Sequence, residues 1–153
     1  MRPLAILAVL TLGVGCSGDS QTPRAGDIAY EESSDLGGGF RFVNRGIVTP
    51  PDNWEAIAHY SYLYFRDQEI CLCSVGQYSI SPSMQFALAH DGPTGQLRLY
   101  DVAQEATRNL TESFVGLPEM FVWDEANGRA TVSFYQGRSD QYEDAPPISI
   151  ELR

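Results

Sequence analysis

The stretch that decides the fold is Ser81-Pro82-Ser83-Met84-Gln85-Phe86-Ala87-Leu88-Ala89-His90-Asp91-Gly92-Pro93-Thr94-Gly95-Gln96-Leu97-Arg98-Leu99-Tyr100-Asp101-Val102. Side chains along an extended strand alternate between two faces, so a period of two marks a strand. From Met84 to His90, the residues Met84, Phe86 and Leu88 make one large apolar face, and Gln85, Ala87 and Ala89 make a smaller one. The cluster Asp91-Gly92-Pro93-Thr94-Gly95 is a dense turn signal. On the return, Leu97 and Leu99 face one way, with Arg98 and Tyr100 opposite. Two alternating runs joined by a polar turn read as an antiparallel hairpin.

The same grammar extends outward. Phe40 to Val48 is a strand ended by Pro50-Pro51, and Tyr60 to Phe65 pairs with Glu69 to Val75 around Asp67-Gln68. Thr107 to Thr111 is a short polar-edged strand. Glu119 to Trp123 and Arg129 to Tyr135 flank Asp124-Glu125-Ala126-Asn127-Gly128, whose Asn-Gly pair accepts positive φ at low cost. Ala130, Val132 and Phe134 alternate there with Thr131, Ser133 and Tyr135, which predicts one buried face and one wet face. Pro146-Pro147 introduces a last alternating strand, Ile148, Ile150 and Leu152. Asp52 or Asn53 is placed to cap a short helical turn through Trp54, Ile57 and Ala58. No long helical period appears. The sequence therefore predicts an all-β body, an antiparallel meander of about eight strands, in two packed sheets or a partial blade-like stack.

Composition limits the partners. The chain has 153 residues with 20 acidic and 10 basic side chains, a formal charge of -10, and every basic one is arginine. That balance argues against nucleic acid, because phosphate binding needs a basic face. It argues equally against a polybasic grip on anionic lipid. Hydrophobic residues at 43% and aromatics at 11% supply enough apolar surface for a core.

The first residues point to a membrane address. Arg2 is followed by an apolar run, Leu4 to Leu12, broken only by Thr11. It is too short for a hydrocarbon core that needs about 20 residues, and it suits the apolar region of a signal peptide. Gly13, Val14 and Gly15 then lead into Cys16. This segment resembles the lipobox of bacterial lipoproteins, with Gly13 where leucine is usual. The resemblance implies a signal peptide over 1–15, lipidation of Cys16, and, with Ser17 next, the outer membrane facing the periplasm. An ordinary secretory signal cut after Gly15 is the other reading. Residues 17–39, SGDSQTPRAGDIAYEESSDLGGG, hold few large apolar side chains and read with Cys16 as a lipidated flexible tether over 16–39. The single all-β domain is expected over 40–153. Gly37-Gly38-Gly39 lacks the spacing of a phosphate loop.

A weak repeat runs through the body. Ser81 to Ala89, then Leu97-Arg98-Leu99-Tyr100-Asp101-Val102, then Asn109-Leu110-Thr111 resembles one blade of TolB-like or WD40-like β-propellers. Ser83-Met84 stands where the family has Asp-Gly. Tyr62 to Asp67 echoes the later strand of such a blade, and Trp123-Asp124 to Phe134 echoes the first half of another. A propeller closes with four to eight blades of roughly 40 residues each, and the span 40–153 holds fewer than three. A closed single-chain propeller is excluded.

The chemistry-bearing candidates are few. Cys71-Leu72-Cys73 places both sulfurs on one face of a strand, with Cα atoms roughly 6.6 Å apart, near the limit for a disulfide. Buried thiols, a local disulfide formed through a bulge or turn, and a redox or metal pair are the three readings. Only His59 and His90 could add soft metal ligands. His90-Asp91 resembles a base and its orienter, but neighbours on a strand point apart and no GxSxG accompanies them. Asp140, Glu143 and Asp144 form an acidic loop without the EF-hand pattern. Tyr60, Tyr62 and Tyr64 share a strand face, as half-buried packing or as a binding platform. The combined expectation is a lipid-anchored envelope protein, a small non-catalytic binding or scaffolding module. It would use no cofactor and no metal. Its partners would be the membrane, through the N-terminal lipid, and an envelope protein received at an exposed sheet edge. The alternative is a periplasmic thiol-redox or metal-binding protein using Cys71 and Cys73.

Overall fold

The computed structural model describes residues 24–49, 57–112, 116–135 and 145–153. Among these the chain is all-β, with antiparallel strands in three sheets that each follow chain order and do not close into a barrel. The first sheet contains β1 (Ile28–Gly37), β2 (Phe40–Val48), β3 (Ile57–Phe65) and β4 (Gln68–Leu72). The middle sheet contains β5 (Tyr78–Ile80), β6 (Phe86–His90), β7 (Leu97–Asp101) and β8 (Ala106–Asn109). The third contains only β9 (Pro118–Asp124), β10 (Arg129–Phe134) and β11 (Ile148–Glu151).

The hairpin β6–β7 lies at the centre because both of its faces are buried. Ala87, Ala89 and Tyr100 pack with Phe40, Leu63, Phe65 and Cys71 of the first sheet. Leu88, Leu97 and Leu99 pack with Ala130, Val132, Phe134 and Ile150 of the third. The smaller, alanine face is as fully buried as the larger one. Its small side chains leave room for large rings, and Phe40–Phe65 and Phe65–Tyr100 meet edge-on or tilted at 5.0 and 5.4 Å between centroids. The result is a stack of three meanders, the second of the two architectures expected, with more strands than the eight anticipated.

Two local expectations change. Residues 28–37 read as spacer from their composition, yet Ile28–Gly37 forms β1 and pairs with β2 along its length. It is an edge strand held by backbone hydrogen bonds, so it needs little apolar content of its own. The glycine triplet is its turn. Gly37, Gly38 and Gly39 have φ of +86°, +61° and +92°, and a Cβ on Gly38 would lie 2.8 Å from the Met84 side chain. The expected helical turn also gives way, because Ile57 and Ala58 open β3. Trp54 lies outside the described residues, as do the signal segment, Cys16, Asp140, Glu143 and Asp144.

Turns fasten the sheets to one another. Met84 has φ +59°, a left-handed conformation that costs a side-chain-bearing residue about 1–2 kcal/mol. It completes the turn whose buried Ser81 hydroxyl accepts the Gln85 and Phe86 amides at 3.2 and 3.1 Å. Glu125, from the β9–β10 turn, accepts the Ser83 amide at 3.1 Å and also the Ser83 hydroxyl. Trp123 Nε1 donates to Ser79 Oγ at 2.9 Å, and Arg108 donates to the Glu151 carbonyl. These three ties hold the third sheet against the middle one.

Candidate functional site

Cys71 and Cys73 are joined as a disulfide, with Cα atoms 5.5 Å apart. The local geometry explains how adjacent same-face cysteines come this close. Leu63 pairs with Cys71 but Tyr64 pairs with Glu69, so Ile70 is an extra residue on β4. Such a bulge kinks the strand just before the pair. The Cys73 amide then donates to the Ser61 carbonyl at 2.9 Å. Ile70, Cys71 and Cys73 are all buried in the first core, so the bond lies inside packed apolar surface rather than in a cleft.

His90 and Asp91 do not converge. His90 is buried on β6 opposite Leu97, on the side facing the third sheet. The Asp91 carboxylate is bound 3.1 Å from Arg98 and accepts the Thr94 hydroxyl at 2.6 Å and the Thr94 amide at 3.3 Å. It therefore organises the turn that the Asp-Gly-Pro-Thr-Gly pattern announced. His59 belongs to a different sheet. It lies on β3 and shares a 2.6 Å hydrogen bond with the Tyr30 hydroxyl of β1. Among the described residues, no three His, Cys, Asp or Glu side chains are grouped to hold a metal ion.

The outer face of the first sheet carries the tyrosines. Arg41 lies 4.5 Å above the Tyr64 ring centroid and Arg45 5.2 Å above that of Tyr62. Arg45 also binds Glu31 at 2.6 Å, and Arg41 donates to the Arg66 carbonyl at 3.1 Å. Burial pushes the Tyr62 phenol above its ordinary pKa, against the opposing pull of Arg45. Arg45 is itself held more firmly charged, chiefly by its hydrogen bond to Glu31. Each cation thus has its partners within the sheet, and Val43 is sealed beneath them. The sequence signal for this lattice was available, since Arg41 and Arg45 face the alternate tyrosines of the next strand.

An open cleft of about 310 Å³ separates the β3–β4 and β7–β8 turns. The buried Tyr100 hydroxyl donates to Gln68 Oε1 at 3.1 Å at its base, and an Arg66–Glu105 pair spans its rim at 2.7 Å. Asp67 adds a second carboxylate to its lining. The third sheet differs. Met120 and Val122 on its outer face are 53% and 46% exposed, and the neighbouring Leu117 is 38% exposed. No protein-family model, curated protein or solved structure matches this chain.

Proposed function

We propose that the chain is a lipid-anchored protein of the bacterial envelope, carried through Cys16 and acting as a small non-catalytic binding module. The N-terminal pattern of Arg2, the apolar run and Gly13-Val14-Gly15-Cys16 supports the anchor. The uncovered apolar residues Met120 and Val122 carry the binding role, because side chains of this kind on an outer sheet face mark interaction surfaces. The polar groups elsewhere point away from catalysis: Asp91, Arg98, Arg45 and Glu31 are engaged with one another in pairs. A thiol or metal role gains no support from cysteines bonded within the core.

The test has two readouts on protein isolated from membranes. Mass spectrometry of the N-terminal peptide should find acylated Cys16, and an unmodified cysteine or an uncut leader would remove the anchor. Cross-linking in the envelope should give a discrete adduct that Met120→Glu with Val122→Glu abolishes while the circular dichroism is kept. An adduct indifferent to those changes would remove this face as the binding surface.

A further inference from the structure

Among the described residues the third sheet has three strands where each neighbour has four, and a small cavity lies near its β11 side. In the middle sheet, β7 is followed by β8, which pairs on its outer side. In the third sheet, β11 is the edge. Its register fixes which backbone groups face outward. Leu152 donates to the Gly128 carbonyl at 2.9 Å, and Ile150 and Ile148 stand opposite Ala130 and Val132. Hydrogen-bonded and non-hydrogen-bonded pairs alternate in an antiparallel ladder. Ser149 and Glu151 therefore turn their N–H and C=O groups away from β10. Among the described residues, the Glu151 carbonyl is met by the guanidinium of Arg108, reaching across from β8.

A cavity of about 60 Å³ lies over the middle sheet near the end of this edge, where Arg108, which reaches Glu151, and Arg153, two residues past it, both line it. Phe86, Leu99 and Ala106 contribute its apolar lining, and Arg108 and Arg153 its basic side. Asp101 also borders it, but its carboxylate already accepts the Ala103 and Gln104 amides of the β7–β8 turn at 2.9 and 3.2 Å. Neither Arg108 nor Arg153 enters an ion pair among the described residues. In a chain of net charge -10, the two arginines beside this apolar lining outnumber its one side-chain carboxylate, Asp101, and leave the site locally cationic.

We infer that the outer edge of β11 accepts an extended segment of a partner protein as a fourth strand. That segment carries an apolar side chain and, two residues on, a carboxylate. Its amides pair with the outward groups of Ser149 and Glu151, which supplies affinity without sequence demand. One inward side chain enters the pocket over Phe86 and Leu99. The incoming N–H replaces Arg108 at the Glu151 carbonyl, which releases the guanidinium to take the carboxylate together with Arg153. The inference rests on reading the chain as a binding module, but it uses the edge of the third sheet rather than the face bearing Met120 and Val122.

The probe is a fluorescein-labelled peptide, acetyl-Thr-Val-Thr-Glu-Thr-amide, titrated by anisotropy into the full chain in detergent. Binding should be saturable and should weaken about tenfold when lysine replaces the peptide's glutamate, and by a similar factor with Arg153→Glu. Ser149→Pro should abolish it, because proline removes an outward N–H that the fold itself does not use. An unchanged urea midpoint for Arg153→Glu keeps the test valid should Ser149→Pro fail to fold. No binding, or binding indifferent to peptide charge and to Arg153→Glu, overturns the inference. So does a self-associated form that Ser149→Pro dissolves, or binding seen only after removal of residues 1–23. Neither Cys16 nor Met120 enters this assay, so its failure would leave the envelope reading standing.

Discussion

Leu88→Ala tests whether the middle sheet is shared by both cores. Leu88 is fully buried on β6 and contacts the core made with the third sheet, while its neighbours Ala87 and Ala89 face the first. The change deletes three carbons, or about 2.4 kcal/mol of transfer free energy at ~0.8 kcal/mol per methylene. The tightly flanked site cannot collapse fully, so a cavity contribution raises the expected loss to about 3–5 kcal/mol. With a urea slope of about 1–3 kcal/mol per molar, the midpoint should fall by about 1–5 M. Trp123 spans the middle and third sheets through Ser79, so its fluorescence, in a Trp54→Phe background, reports their contact. Far-UV circular dichroism reports all three sheets. Coincident transitions, both shifted, are expected of one cooperative stack. A loss below about 1 kcal/mol would refute the shared-centre argument. So would fluorescence that collapses at low urea while the dichroism persists, because the third sheet would then be a separable unit.

Burial raises the pKa of Tyr62, Tyr78 and Tyr100 above the ordinary value of 10.0. The fold then holds these phenolic protons more tightly than the unfolded chain does. Their contribution is complete below about pH 10 and is lost as pH rises past it; urea midpoints should be flat to pH 9 and then fall, less steeply in Tyr100→Phe. Gly46→Ala would place a Cβ 2.3 Å from the Tyr30 ring. It should cost about 1–3 kcal/mol and expose residues 28–37 to limited proteolysis, whereas protection equal to the parent chain would deny that Tyr30 seats β1 there. The disulfide closes a loop with only one intervening residue. Chain-entropy arguments give it less than about 2 kcal/mol, so Cys71→Ser with Cys73→Ser should remain folded at 25 °C, and alkylation of the denatured, unreduced parent should leave both positions unlabelled.

The strands were legible where their apolar residues alternate. Phe40 to Val48 has the same limits in sequence and structure, and the turns at Asp91 to Gly95 and Asn127-Gly128 fall where their residues demand. What the pattern could not convey was position in the stack. Ala87 and Ala89 read only as a smaller face, yet large rings from β2, β3 and β7 cover them. β1 looked like a tether for the converse reason: an edge strand needs backbone partners rather than apolar mass, and backbone pairing leaves no mark on composition. The cysteine pair was undecidable from spacing alone, because the bulge at Ile70 that brings the two together depends on the register against Leu63 and Tyr64.

The two ends of the stack resolve their exposure differently, and that asymmetry locates the protein's unfinished business. On the first sheet, arginine and tyrosine side chains answer one another across β2 and β3, with Glu31 of β1 closing the set. A ligand arriving there would have to displace internal partners before gaining any of its own, at a cost comparable to what it would recover. On the third sheet, Met120 and Val122 stand opposite Ser133 and Thr131 and are about half exposed, and among the described residues Ser149 has no backbone neighbour on its outer side. Among the described residues, the contact a ligand would have to displace there is that of Arg108 with Glu151. Association is favoured where less has to be undone. By that reasoning, substitutions at Met120, Val122 and Ser149 should change binding at little cost to stability, and substitutions in the arginine–tyrosine lattice should do the reverse.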